Sequence, residues 1–170
     1  IASVASLFVS RIDALVDKLI DEHSDKSLQA IKGKVAIANS RLAYQAYKEI
    51  FNTDEWKILA RKGAMTQRLL WASTSTKNPD YKDTLYMESL IGPDTVNTIP
   101  PVTMDAFRDH GVASSTLEES IEDAKETFQS LQEAGISMEK VTDQLLDEGL
   151  EQFVVSFDSL LKAVDEARSK

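Results

Sequence analysis

Leu69-Leu70-Trp71-Ala72-Ser73-Thr74-Ser75-Thr76-Lys77-Asn78-Pro79-Asp80-Tyr81 passes abruptly from apolar side chains to hydroxyls, one lysine and an Asn-Pro break. The apolar opening suits a short buried strand, and the remainder a polar loop. In sheets whose strands are separated by helices, loops at the carboxyl ends of the strands carry ligands, and a lysine amid Ser and Thr hydroxyls suits a phosphate. A plain surface turn after a buried strand is the alternative.

Upstream, Val4 to Val9 mixes β-branched, aromatic and small residues over a strand-like length. Ser10-Arg11 then leads into Ile12, Leu15, Val16, Leu19 and Ile20 at helical spacing, with Asp13, Asp17, Lys18, Asp21 and Glu22 expected on the outer face. Ser27 to about Phe51 reads as one helix softened at Gly33, and Asn52 to Lys62 as a short one stopping at Gly63. Downstream, Asp83 to Leu90 is expected to be helical and Thr95 to Ile99 a third strand bounded by Pro100-Pro101. A helix is expected over Thr103 to Asp109. Ser115-Thr116-Leu117-Glu118 has the form of a capping box opening a helix that ends at Gly135. Ser137 is expected to cap a helix broken at Gly149, and Leu150 to Ala167 to close the chain with Phe153, Phe157, Leu161 and Val164 on one face. Each strand runs into a helical segment, so the class is α/β with a parallel sheet.

The 170 residues suit one domain, residues 1–170, with no linker or internal repeat. A net charge of −9 repels a phosphate backbone overall, so neither nucleic acid nor an anionic membrane is an expected partner, and any anion site must be local. No cysteine is present, which removes thiol nucleophiles and Cys-ligated metals. No apolar run is long enough to span a bilayer. The chain opens at Ile1 with no methionine or basic leader and reads as entered in mid-fold. His23 and His110 lack metal-ligand spacing and are expected to be solvated, as are Glu118-Glu119, Glu122-Asp123 and Asp147-Glu148.

Four phrases, in order, resemble the carboxyl-terminal half of bacterial-type transaldolases. They are Ser3 to Asp13, Ala38 to Tyr47, Leu70 to Tyr81 and Asp94 to Pro100, and the resemblance extends to the closing Glu-Gly-Leu-Glu-Gln-Phe helix. It implies the carboxyl-terminal part, about three strands with their helices, of a (β/α)8 TIM barrel. It also implies a pentose phosphate pathway transferase of carbohydrate metabolism, cytoplasmic or, in a plant or alga, plastidic. Such enzymes move a dihydroxyacetone unit from sedoheptulose 7-phosphate to glyceraldehyde 3-phosphate, giving erythrose 4-phosphate and fructose 6-phosphate. They use a lysine Schiff base and no metal or organic cofactor. That lysine lies on the family's fourth strand, and this chain matches from about the sixth, so no catalytic residue is expected here.

The resemblance gives Arg11, Ser73 and Lys77 to the substrate phosphate, and Ser6 and Phe8 to the substrate pocket. Lys77 beside Asn78 and Asp80 has no sign of the burial or nearby cation that a lysine nucleophile needs. Arg11 could instead pair with Asp13 or another acid at a helix start. The implied partners are sugar phosphates and the amino-terminal half of the barrel, without which the segment is expected to be inactive and poorly folded. The competing reading is a non-catalytic half-barrel binding or interaction module.

Overall fold

The computed structural model describes residues 1–168, which form two compact units, residues 1–136 and 137 onward. In the first, strand β1 (Ser3–Phe8) passes without a loop into helix α1 (Val9–Glu22). A 3-10 helix (Lys26–Ile31), α2 (Val35–Ile50) and α3 (Asp54–Arg61) lead to β2 (Gln67–Ala72). Then come α4 (Leu85–Ser89), β3 (Val96–Asn97), α5 (Pro101–His110) and α6 (Ile121–Glu133). The strands form one sheet in the order β1-β2-β3, and both pairings are parallel, as the intervening helices require.

The register sorts the two faces. Ser6 pairs with Leu70 and Phe8 with Ala72, so these residues share one face, while Leu7 and Trp71 share the other. Trp71 is fully buried, so its face is the one the helices cover. The opposite face leaves Val4, Ser6 and Phe8 of β1 exposed. Val9, Ile12, Val16 and Ile20 of α1 are buried, each contributing about 1.5–3 kcal/mol on full burial.

Several expectations are corrected. The helix expected from Ser27 to Phe51 is two pieces, because Gly33 adopts φ +70°, and a Cβ there would meet the Tyr81 ring at 2.7 Å. That left-handed residue ends the first piece and admits the tyrosine. Asp13 and Asp17 are buried rather than on the outer face of α1. The start of α2 lacks a side-chain cap of its own, and Asp13 supplies an acceptor from α1 to its orphan Ala36 amide.

Ser115 to Glu118 does not open a helix. The Thr116 and Leu117 amides donate to the Ile91 carbonyl and the Thr116 hydroxyl donates to the Glu88 carbonyl, docking the segment beyond α4; α6 begins at Ile121. His110 is exposed, as expected, and bonds Asp83 and Asp109, the Asp83 bond above all raising its pKa. The named acidic pairs are exposed.

The second unit holds α7 (Met138–Arg168). The Ser137 hydroxyl accepts from the Lys140 amide at its start, as expected of a cap. Gly149 does not break it: about 1 kcal/mol against alanine is too little to interrupt a helix otherwise rich in good formers. Among the described residues no helix is long and apolar enough to cross a membrane.

Candidate functional site

The carboxyl ends of β1 and β2 bring Phe8, Ser10, Arg11 and Ser73 together. Because β1 ends where α1 begins, Ser10 and Arg11 fall in the first turn of a helix whose orphan amides and dipole favour an anion. Beside it, β2 ends at Ala72 and Ser73 takes a left-handed φ of +57°, turning its carbonyl onto the Ser10 amide at 3.0 Å. The two serine hydroxyls lie 2.8 Å apart, so one donates to the other and the accepting hydroxyl keeps its own O–H free to donate. Thr74 continues the stitching on the other side, where its buried hydroxyl donates to Asn97 Oδ1 of β3 at 2.9 Å.

The Arg11 guanidinium stands over the Phe8 ring, 4.6 Å from its centroid. A cation on an aromatic face keeps its in-plane donors available. The alternative pairing with Asp13 does not form: that carboxylate is turned into the protein and accepts from the Ala36 amide and the Tyr86 hydroxyl. Among the described residues Arg11 carries no ion pair. The cluster therefore holds one half-buried guanidinium, a hydroxyl pair and a helix start, a donor set suited to a phosphate-like anion.

The site residues inferred from the sequence divide. Arg11, Phe8 and Ser73 are gathered, and Ser6 lies two residues before Phe8 on the same exposed face. Lys77 is exposed on the loop after β2 and, among the described residues, has no hydrogen bond or ion pair. Its loop is held at both ends, at Ser73 and at Tyr81, whose hydroxyl donates to Asp17 at 2.5 Å. Sequence reasoning missed Ser10, although it stands beside Arg11 at the strand-to-helix junction, and missed that Asp13 and Asp17 are buried. Burial pushes the Asp13 carboxyl up to about 6, reinforced by Asp17 and opposed by the Ala36 amide and Tyr86 hydroxyl.

A cleft of about 460 Å³ lies elsewhere, among the outer helices, lined by Ile31, Lys34, Arg41, Asp123 and Thr127. It takes no residue from the strand ends and mixes both charge signs, so it does not rival the Arg11 cluster as an anion site.

The family described as Transaldolase/Fructose-6-phosphate aldolase matches residues 1–164. A protein named transaldolase from Trichodesmium erythraeum is 50% identical over all of this chain and 47% of its own length. Transaldolase 2 of Nostoc sp. is 48% identical over 97% of the chain and 46% of its own length, and a transaldolase of Arthrobacter sp. is 48% identical over 98% and 45%. The chain thus spans about half the length of the curated relatives it matches. It belongs to the transaldolase/fructose-6-phosphate aldolase family.

Proposed function

We propose that this chain is the phosphate-gripping side of a transaldolase-type site, built on the last three strands of a (β/α)8 barrel. A polypeptide that supplies the other strands would transfer a dihydroxyacetone unit between sugar phosphates, with the Schiff-base lysine upstream of Ile1. Arg11, Ser73 and Lys77 bind the phosphate, while Ser6 and Phe8 line the pocket. Residues 1–170 act as one segment of that barrel and are inactive alone.

The carrying observation is Arg11. It sits at the strand end where barrels place substrate groups, free of ion pairs among the described residues, over Phe8 and beside the Ser10–Ser73 hydroxyl pair. A guanidinium fork in that position suits a dianion's paired oxygens. The exposed Val4 and Phe8 also fit the interaction-module reading, in which another chain covers this face without catalysis.

The test uses the chain joined behind the amino-terminal half of the Trichodesmium transaldolase. Arg11→Ala is expected to weaken fructose 6-phosphate relative to unphosphorylated dihydroxyacetone by about 1.5–3 kcal/mol, on the order of 10- to 150-fold. Equal loss for both substrates contradicts the phosphate role. A joined polypeptide that turns over neither favours the interaction module.

A further inference from the structure

Two carboxylates on α1 are wired alike. Asp13 and Asp17 stand one helical turn apart and both are buried. Each gives one oxygen to a backbone amide around the start of α2, Ala36 at 2.7 Å and Gly33 at 3.1 Å. Each gives the other oxygen to a tyrosine from beyond β2, Tyr86 at 2.7 Å and Tyr81 at 2.5 Å. Burial above all, with the carboxylates beside them, holds both phenols far above their usual range, so they stay protonated and donate.

The two tyrosines differ in position. Tyr86 lies within α4, past the loop, whereas Tyr81 ends the loop that begins at Ser73 and carries Lys77. Its ring lies against Gly33, so it is held by its face as well as its hydroxyl. Between Ser73 and Tyr81 the Thr74 hydroxyl is also tied to Asn97 of β3 at 2.9 Å, and beyond Thr74 the bonds are local, Tyr81 amide to Asn78 carbonyl at 3.2 Å and Asp80 amide to Asn78 Oδ1 at 3.0 Å. The two ends of this loop are thus held by α1, at Ser10 and Asp17, and α1 also carries Arg11.

We propose that Asp17 and Tyr81 are positioning residues of the anion site, whose bond sets the loop of residues 73–81 against α1 so that Ser73 and Lys77 meet the phosphate that Arg11 grips. The inference rests on the phosphate reading above and adds residues that touch no substrate. The Asp13–Tyr86 bond is its internal control, since it has the same chemistry but does not close the loop.

The experiment measures, in the joined polypeptide, KM for fructose 6-phosphate relative to KM for dihydroxyacetone. Tyr81→Phe is expected to raise this ratio ~5- to 10-fold, the loss of one positioned hydrogen bond, with kcat moving less than about twofold. Asp17→Asn is expected to raise it likewise and serves if Tyr81→Phe fails to fold. Tyr86→Phe is expected to lower the thermal midpoint without raising the ratio. A ratio unmoved by Tyr81→Phe and Asp17→Asn while Arg11→Ala raises it overturns the positioning role, as does an equal rise in Tyr86→Phe. A ratio unmoved by Arg11→Ala as well overturns the phosphate reading, and the positioning role with it.

Discussion

Helices α1 and α7 carry the same kind of sequence pattern and meet opposite surroundings. The apolar stripe of α1, Val9, Ile12, Val16 and Ile20, is between 0% and 4% exposed. That of α7, Leu150, Phe153, Phe157 and Leu160, is between 58% and 72% exposed. Amphipathic spacing says which face of a helix is to be covered, and nothing about whether the same chain covers it. In α1 the cover comes from this chain, and it is thorough enough to bury two carboxylates beside the stripe. Of their partners, Tyr86 lies within α4, while Tyr81 fastens the loop after β2 to α1.

The contrast breaks first at Ile20. Ile20→Ala is expected to cost about 2–5 kcal/mol in urea unfolding, and the same in the 170-residue chain as in the joined polypeptide, because its cover is present in both. A much smaller cost in the chain alone would mean that α1 packs only once the upstream half is supplied.

Next comes pH. The folded Asp13 carboxyl titrates at about 6 against an ordinary 3.8, so the folded state holds the proton more tightly. Its contribution therefore favours unfolding above pH 6, is relieved as pH falls through 6, and is fully relieved below 3.8, the reverse of the usual aspartate. Asp13→Asn removes this titration. The stability of the native protein relative to Asp13→Asn should rise by up to ~3 kcal/mol between pH 7 and pH 4. A flat difference would mean that Asp13 stays charged in its pocket.

The smallest effect is expected on α7. In the 170-residue chain Phe153→Ser should change the unfolding free energy by less than about 0.5 kcal/mol, as at any exposed site. A cost like that of Ile20→Ala would show the stripe covered in solution.

What was legible in the sequence follows the same division. β1 and β2 could be read because their apolar runs end at polar junctions, whereas Arg11, Phe8 and Ser73 were singled out by the resemblance to the family and the structure adds that they stand at those junctions. β3 shrinks to two residues, Val96 and Asn97, beyond which only the Thr98 amide and hydroxyl still reach the Trp71 carbonyl of β2 among the described residues. The break at Gly33 was illegible because a ring far along the chain, Tyr81, occupies the space a Cβ would need. The burial of Asp13 and Asp17 was illegible for the same reason: local spacing made them outer-face residues, and distant phenols and amides made them inner ones. Ser115 to Glu118 had the letters of a cap, but the Glu88 and Ile91 carbonyls claimed Thr116 first. Lys77 was legible as a cation in a hydroxyl-rich loop, while its relation to Arg11 depends on how that loop is held.

The central claim is that this chain grips the substrate while the reactive amine lies outside it. The most direct measurement is borohydride reduction of the joined polypeptide with fructose 6-phosphate, followed by peptide mass mapping. The account predicts a covalent adduct on one lysine of the amino-terminal half and none within residues 1–170. An adduct on Lys77 would contradict it.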